Sequence, residues 1–412
     1  MKILIINQFF NMQAGTEVIS TGTFNILKKQ GHDVYYYAFD KKPYYIENYE
    51  YSKYFPEDNM STISYLKNPL KYYWNYEAAK NLEKYIDEIK PEIIHIHSLM
   101  SPSILNVCKK KNIPAVMTIH MMPSPCPATK FLYKNKEICK DFKCKNGNYW
   151  NCIFNKCGNN SIERSVRKSL LSYIYDKTDA YSDIKYFICP SNALRDYVKL
   201  SNITQDKDKI ITINNFLTDE ELKTIPNYSN KGYFLYLGRL SKEKGLNYLL
   251  EAVKDLPREI KLKIVGTGEE EKSLKQYAKE NNLNNVEFVG FKNREEIKEY
   301  YQSCIATILP CNWFEIFGMT NIESFINGKP VIASNIGGIP ETIEHNINGL
   351  LFEPANIEQL KDCILRYWNN IELVKEHGKN AHQKAKIHYT EERYYEELMQ
   401  VYKNILKEKN EV

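Results

Sequence analysis

The stretch Cys311-Asn312-Trp313-Phe314-Glu315-Ile316-Phe317-Gly318-Met319-Thr320-Asn321-Ile322-Glu323 sets two carboxylates eight residues apart around a single glycine. Eight steps along an α-helix rotate about 80° past two full turns, so one helix face cannot present both. The spacing makes sense if Glu315 lies in a loop and Glu323 on a helix that opens near Gly318. The unpaired N–H groups and partial positive charge of that helix start would then face an anion between the carboxylates. The loop carboxylate can accept hydrogen bonds from sugar hydroxyls, and the helical one from a ribose. Upstream, Gly238-Arg239-Leu240-Ser241-Lys242-Glu243-Lys244 adds two cations suited to a diphosphate. Arg239 directly follows an apolar run, and Lys244 sits near the next helix start.

Outward from this centre, short apolar runs alternate with helical patterns. Residues 2–6, 34–38, 93–96, 115–119, 186–189 and 210–213 read as strands, with helices over 17–30, 101–112 and 191–200 among those between them. After a polar connector around 218–231 the cycle restarts, with strands at 233–237, 261–265, 286–289, 306–309 and 331–333. Such alternation predicts an α/β chain of two βαβ domains, and near-continuous Val/Ile runs suit parallel strands buried on both faces. The expected division is 1–215, 216–390 and a final amphipathic, Tyr-rich helix over 391–412. Ligands gather at the carboxyl ends of such strands, so the active site is expected in a cleft between the domains.

At 412 residues the chain exceeds one ordinary core, and 43% hydrophobic content is enough for two. Met1–Asn7 lacks a basic region followed by a long apolar run, so no leader is expected. The longest uncharged run, 112–129, is broken by four prolines and does not suit a membrane span. The chain is therefore read as cytoplasmic, with reduced cysteines. Residues 1–215 carry 30 basic against 21 acidic residues, whereas the remainder carries 26 against 30. The excess concentrates in 101–168, where 13 basic residues meet only Glu137, Asp141 and Glu163. Such a block suits an anionic partner: a lipid headgroup, a pyrophosphate-linked acceptor or nucleic acid. It equally suits a solvated lysine-rich surface.

The Glu-x7-Glu element, the Gly238-Arg239-Leu240 turn ending in Lys244-Gly245, and Ala333-Ser-Asn-Ile-Gly337-Gly338-Ile-Pro340-Glu341 together resemble the retaining glycosyltransferases of family 4. The likeness runs nearly end to end and is strongest over 233–352. It implies the GT-B fold: two Rossmann-like domains facing a cleft, with the last helix crossing back to the first domain. It also implies transfer of a hexosyl unit from a nucleotide-diphosphate sugar to a glycan or polyprenyl-pyrophosphate-linked acceptor, in cell-surface polysaccharide synthesis at the inner membrane face. By this resemblance Arg239 and Lys244 hold the donor phosphates, Glu315 the sugar and Glu323 the ribose. Ile316, Phe317, Gly318, Met319 and Thr320 line the donor between them. His120 matches the active-site histidine that contacts the sugar, completing a catalytic set with Glu315, Arg239 and Lys244. Many relatives follow that histidine with Asp, where this chain has Met121-Met122. Ala14-Gly15-Thr16-Glu17 looks like the family's Gly-Gly loop, with Gly15 beside the transferred sugar. Gly266 and Gly268 permit close backbone approach to the nucleotide, or form a simple turn.

On the acceptor side, Thr16, Glu17 and His97 are candidates. His95 is expected on the opposite face of its strand, in the core. Protein cations meet the phosphate charge, so catalysis is expected to need no divalent metal or other cofactor. Cys126, Cys139, Cys144, Cys152 and Cys157 fall within 32 residues. Two Cys-x4-Cys pairs would suit a structural zinc in an insert over 121–160, and the same sulfurs would suit free thiols packed in a loop. The aromatic and lysine mixture over 65–74 has the composition of a membrane-interface patch, or of a core-facing helix. Two other classes remain open: a GT-B-shaped nucleotide-sugar epimerase, and a nucleic-acid-binding protein built on a zinc finger. No nucleic-acid partner is expected, because no recognition-helix pattern follows the cysteines.

Overall fold

The computed structural model describes residues 1–8, 15–38, 49–51, 73–97, 101–120, 126–129, 132–133, 137–139 and 143–410. Its strands are β1 (Lys2–Ile6), β2 (Asp33–Ala38), β3 (Tyr49–Tyr51), β4 (Ile93–Ile96), β5 (Ala115–Thr118), β6 (Leu132–Tyr133), β7 (Glu137–Ile138), β8 (Ile184–Cys189) and β9 (Ile210–Thr212). A second series follows: β10 (Tyr233–Leu237), β11 (Lys261–Val265), β12 (Val286–Gly290), β13 (Thr307–Leu309), β14 (Val331–Ser334) and β15 (Gly349–Phe352).

The chain divides into two compact units, Met1–Asn214 with Tyr394–Val412, and Asn215–Arg393. In the first, seven strands pair in parallel in the order β3-β2-β1-β4-β5-β8-β9. In the second, six parallel strands run β12-β11-β10-β13-β14-β15. Ile3, Leu4, Ile5 and Ile6 are all fully buried, as a strand covered on both faces requires. Each sheet reverses its winding once, at β1/β4 and at β10/β13. The carboxyl ends of those strands are therefore the places where a ligand site is expected.

The helix Glu391–Asn410 belongs to the first unit from Tyr394 onward. Three of its tyrosines explain why. Tyr394 Oη lies 2.9 Å from Thr23 Oγ1, Tyr395 Oη 3.0 Å from His32 Nε2, and Tyr402 Oη 2.7 Å from His95 Nδ1. A tyrosine buries a large ring while its hydroxyl reaches a polar partner, which suits a helix that must dock on a finished sheet.

Periodicity misses four strands. β3 is three residues long, β15 opens on Gly349, and β6 and β7 form a two-residue antiparallel hairpin. Runs this short carry too few apolar positions to register against turn residues. The interface patch expected over 65–74 falls, for residues 65–72, outside the described residues, as do Ala14 and Met121-Met122.

Candidate functional site

Lys244 sits in a single 3₁₀ turn, Lys242–Lys244, shortly after β10, and Glu315 in the loop leaving β13. β10 and β13 are neighbours in the sheet, so their two loops meet. Lys244 Nζ donates to Glu315 Oε2 at 2.6 Å, and the same oxygen accepts from Trp313 Nε1 at 3.1 Å and Cys311 Sγ at 3.6 Å. The Lys244 ammonium also lies 5.1 Å from the Trp313 ring centroid. Burial pushes the Glu315 carboxyl up, but the Lys244 charge and these hydrogen bonds outweigh it and hold it below its ordinary value. Burial likewise works against the Lys244 charge, and Glu315 reverses it, raising Lys244 above its usual range. Both groups stay ionised in a nearly closed environment.

The loop carrying Glu315 is clamped from behind. Gly338 N donates to Glu315 O at 2.8 Å, and a Cβ on Gly337 would stand 2.2 Å from that same oxygen. The Gly337-Gly338 pair thus permits a backbone contact that fixes the carboxylate's position. Gly266 and Gly268 serve a similar end. A Cβ on either would fall within 2.2 Å of a carbonyl of Gly238 or Leu240, so β11's exit packs directly on the loop bearing Arg239.

Arg239 differs from Lys244. Its side chain is 64% exposed and bonds only the buried Glu243, at 2.8 Å, leaving most guanidinium donors facing solvent. Beyond Glu315 the chain turns at Gly318 (φ 84°) into the helix Met319–Ile326, as the Glu-x7-Glu spacing requires. Ile316, Met319 and Thr320 are partly buried. Phe317 is 2% exposed and packs edge-on against Tyr389, so it can offer a ligand only its backbone.

Glu323 lies one turn into that helix, where Tyr301 Oη donates to it at 2.8 Å. Burial and the nearby Glu221 raise its carboxyl above the ordinary value, against the opposing pull of Tyr301 and Arg294. Two acids eight residues apart are therefore driven in opposite directions by their neighbours.

In the first unit, His97 follows β4 and His120 follows β5. His97 Nδ1 lies 3.3 Å from His120 Nε2, with the rings stacked at 5.6 Å. His95 corrects an expectation. Its ring stands 4.1 Å from that of His97, on the same side and not the opposite one, because residues two apart along a strand share a face. His95 is fully buried and bonds Tyr402 Oη and Thr118 Oγ1, both at 2.7 Å. Burial holds His95 down to about 3 and His120 to about 4, and together with the neighbouring imidazoles pushes His97 well below its usual value. His97 Nε2 is buried without a hydrogen-bond partner. Nearby, Gly15 and Thr16 open the helix Gly15–Lys29 and Glu17 is buried in its first turn.

Cys152 and Cys157 pack with Ala128, and Cys126 and Cys144 border them. The five insert cysteines are free thiols. Burial, then the neighbouring Cys126, Cys157 and Cys139, pushes Cys144 up to about 12. Among the described residues, however, no three His, Cys, Asp or Glu side chains gather as a metal-ligand set.

Sequence reasoning singled out Glu315, Glu323, Arg239 and Lys244 but missed Trp313, Tyr301 and Glu243, which orient them. Trp313, inside the motif itself, could have been found from its place two residues before a carboxylate. Tyr301 and Glu243 gave no such signal, since they act through contacts that only folding creates.

Residues 15–221, half of the chain, match the family described as Glycosyltransferase Family 4, and residues 218–405 match Glycosyl transferases group 1. The glycosyltransferase MJ1178 of Methanocaldococcus jannaschii is 33% identical over 199 residues, 44% of this chain and 56% of that protein. O-antigen chain mannosyltransferase C of Escherichia coli is 27% identical over 180 residues, 43% of this chain and 48% of that one. The chain thus spans about half the length of these two relatives. Anabaena Alr3699/HepE, solved with UDP and glucose, superposes with a TM-score of 0.69 at 18% identity, covering 98% of this chain and 99% of that one. That likeness shows the GT-B fold. With both halves of its length matched in this way, the chain belongs to glycosyltransferase family 4.

Proposed function

We propose that this glycosyltransferase moves a hexosyl unit from a nucleotide-diphosphate sugar to a glycan with retention of configuration, and that the acceptor is lipid-linked and presented at the inner membrane face. The observation that carries this reading is the Lys244–Glu315 pair held at 2.6 Å where β10 and β13 adjoin, with the exposed Arg239 on the same loop as Lys244. A diphosphate leaving group would meet Lys244, Arg239 and the start of the Met319–Ile326 helix, all fixed before the reaction, so its developing charge meets preorganised partners. Donor binding would loosen Lys244 from Glu315, turning the cation to phosphate and freeing the carboxylate for sugar hydroxyls. Glu323 would accept from ribose, and Gly266 and Gly268 would sit beside the nucleotide.

His120, a neutral imidazole, would contact the transferred sugar, with Gly15 beside it. His97, Thr16 and Glu17 fall on the acceptor side. Retention would proceed by front-face attack: the acceptor oxygen bonds the anomeric carbon as the bond to phosphate breaks, and the departing phosphate takes the acceptor proton. No divalent metal is assigned a role. The single Asp-x-Asp spacing, Asp206-Lys-Asp208, lies on the surface, where Asp206 caps its own 3₁₀ turn by accepting from Asp208 N. The relative named for O-antigen synthesis supports a polysaccharide product.

A thermal-shift panel of UDP, GDP, ADP, CMP and dTDP sugars on wild type, Lys244→Ala and Glu323→Ala tests the donor site. One nucleotide class should stabilise the wild type and neither variant. No shift with any donor would overturn the assignment. Proton NMR of the product then reads the anomeric configuration, and an inverted product would sink the front-face route.

A further inference from the structure

The helix Ile162–Lys177 is built inside out. Its buried positions are Ser165, Ser169, Ser172 and Tyr175, whereas Ile162, Val166, Leu170 and Tyr173 are 40–54% exposed. The serines complete their bonding locally. Ser165 Oγ donates to Ser161 O at 2.7 Å and accepts from Gly158 N at 2.9 Å, and Ser169 Oγ donates to Tyr149 O at 3.3 Å. A Cβ on Gly158 would stand 2.7 Å from Ser165 N, so the adjoining segment approaches backbone to backbone. Small inward residues therefore fix this helix, and its apolar stripe, at i, i+4, i+8 and i+11, is left half toward solvent.

The short helix Trp150–Phe154, packed against it, repeats the pattern. Trp150 and Phe154 are 66% and 77% exposed, with rings stacked 5.9 Å apart. Six of the thirteen large hydrophobic residues exposed among the described residues thus lie on these two helices. Between 143 and 177 stand seven basic residues and only two acidic ones. Neither acid is free, since Asp176 accepts from Tyr149 Oη at 2.6 Å and Glu163 pairs with Arg167 at 3.5 Å.

We propose that this helix pair is the surface by which the protein docks on an anionic phospholipid bilayer. Exposed Trp, Tyr and Phe beside Lys and Arg suit the headgroup boundary, where an apolar body sits shallowly and cations meet lipid phosphates. A second copy of the chain fits poorly, because a two-fold contact would bring two copies of this net-positive segment together. Insertion is shallow: no helix among the described residues is long and apolar enough to cross a membrane. The inference gives the membrane-presented acceptor of the preceding section a place to be met, and it is tested without acceptor or donor.

The test is flotation with vesicles of phosphatidylglycerol and phosphatidylcholine at 3:7, against phosphatidylcholine alone. Wild type should float with the anionic vesicles and lose binding as salt rises. Trp150→Ser with Phe154→Ser should weaken binding on the order of tenfold. Arg164→Glu with Lys168→Glu should weaken it by more, about fivefold for each charge removed. Trp150, Phe154 and Arg164 face solvent and Lys168 is partly exposed, so melting temperature and donor-induced thermal shift should match wild type. Equal flotation of every variant, no flotation of wild type at low salt, or a concentration-dependent dimer abolished by the same substitutions would each overturn the proposal. Donor shifts that persist in that event would leave the transferase reading standing.

Discussion

The ends of β10 and β13 and the ends of β4 and β5 are both carboxyl ends of neighbouring strands in parallel sheets, yet they hold opposite kinds of chemistry. In the second unit, Lys244 and Glu315 are partly buried and ionised, each keeping the other charged. In the first, His95 and His97 are buried and His120 partly so, and burial beside hydroxyls and other imidazoles keeps all three neutral. Burial alone therefore does not decide protonation; the charge of the nearest partner does.

The largest effect expected from breaking this contrast is at Lys244. Lys244→Ala would strand a buried carboxylate, costing about 3–5 kcal/mol of stability in urea unfolding. The double variant Lys244→Met/Glu315→Gln removes both charges and should recover most of that stability. Its turnover should nonetheless stay about 10²–10³-fold below wild type, since the preorganised cation is gone. Wild-type turnover in the double variant would reduce the pair to a structural bolt. Because Glu315 is lowered and Lys244 raised, the pair's contribution should be constant from about pH 5 to pH 9 and fall only outside that window.

The histidine row should respond inside that window. Each folded imidazole resists protonation below the unfolded value of about 6.5, so the unfolded chain binds more protons there and stability falls as pH drops. Loss should begin near that value and continue to about 4 for His120 and about 3 for His95. With three such groups the slope reaches up to about 4 kcal/mol per pH unit. Urea midpoints measured between neutrality and mild acid check this, and His120→Gln should remove about a third of the slope. A flat profile would mean that the folded imidazoles titrate at the unfolded value, erasing the contrast.

This division also describes what the sequence made legible. Glu-x7-Glu and the Arg239/Lys244 turn could be read because charged residues at fixed spacing around glycine are rare and depend on local geometry. Strands β10 and β14 were legible for a related reason: each is an apolar run of the length a buried strand needs. The histidine row was legible only in part. His97 and His120 could be placed at strand ends, but their 3.3 Å contact joins residues 23 apart, and His95 finds Tyr402 across 307 residues. The inverted helix escaped notice altogether, since a pattern of Ile162, Val166, Leu170 and Tyr173 reads as an ordinary core face until burial shows the serines inside.

Glu323 offers a smaller test, because its carboxyl is raised where Glu315's is lowered. Ribose hydroxyls need the ionised form, so donor affinity should strengthen as pH rises through the raised value of Glu323. Glu323→Gln should weaken donor binding by roughly 10–100-fold, the worth of a hydrogen bond to a charged group, and flatten that pH dependence. Its melting temperature should not fall, since the substitution also relieves the repulsion from Glu221. Calorimetric titration at several pH values separates the two effects. Unchanged affinity would remove Glu323 from the donor site while leaving Lys244 and Glu315 in place.

The smallest effect is expected at Tyr402. Its hydroxyl is 2.7 Å from His95 Nδ1, on a helix that rejoins the first unit after the chain has built the second. Tyr402→Phe keeps the buried ring and removes only that bond, leaving His95 held by Thr118 at its other nitrogen. The loss should be about 1–2 kcal/mol, the cost of one buried donor or acceptor left without its partner. Donor affinity should not change, because neither Tyr402 nor His95 is among the groups bonded to Lys244 or Glu315. A change in donor affinity would mean that the neutral row and the charged pair are energetically coupled. The neutrality of the row and the ionisation of the pair would then have to be treated together, and not as two solutions to the same problem of burial.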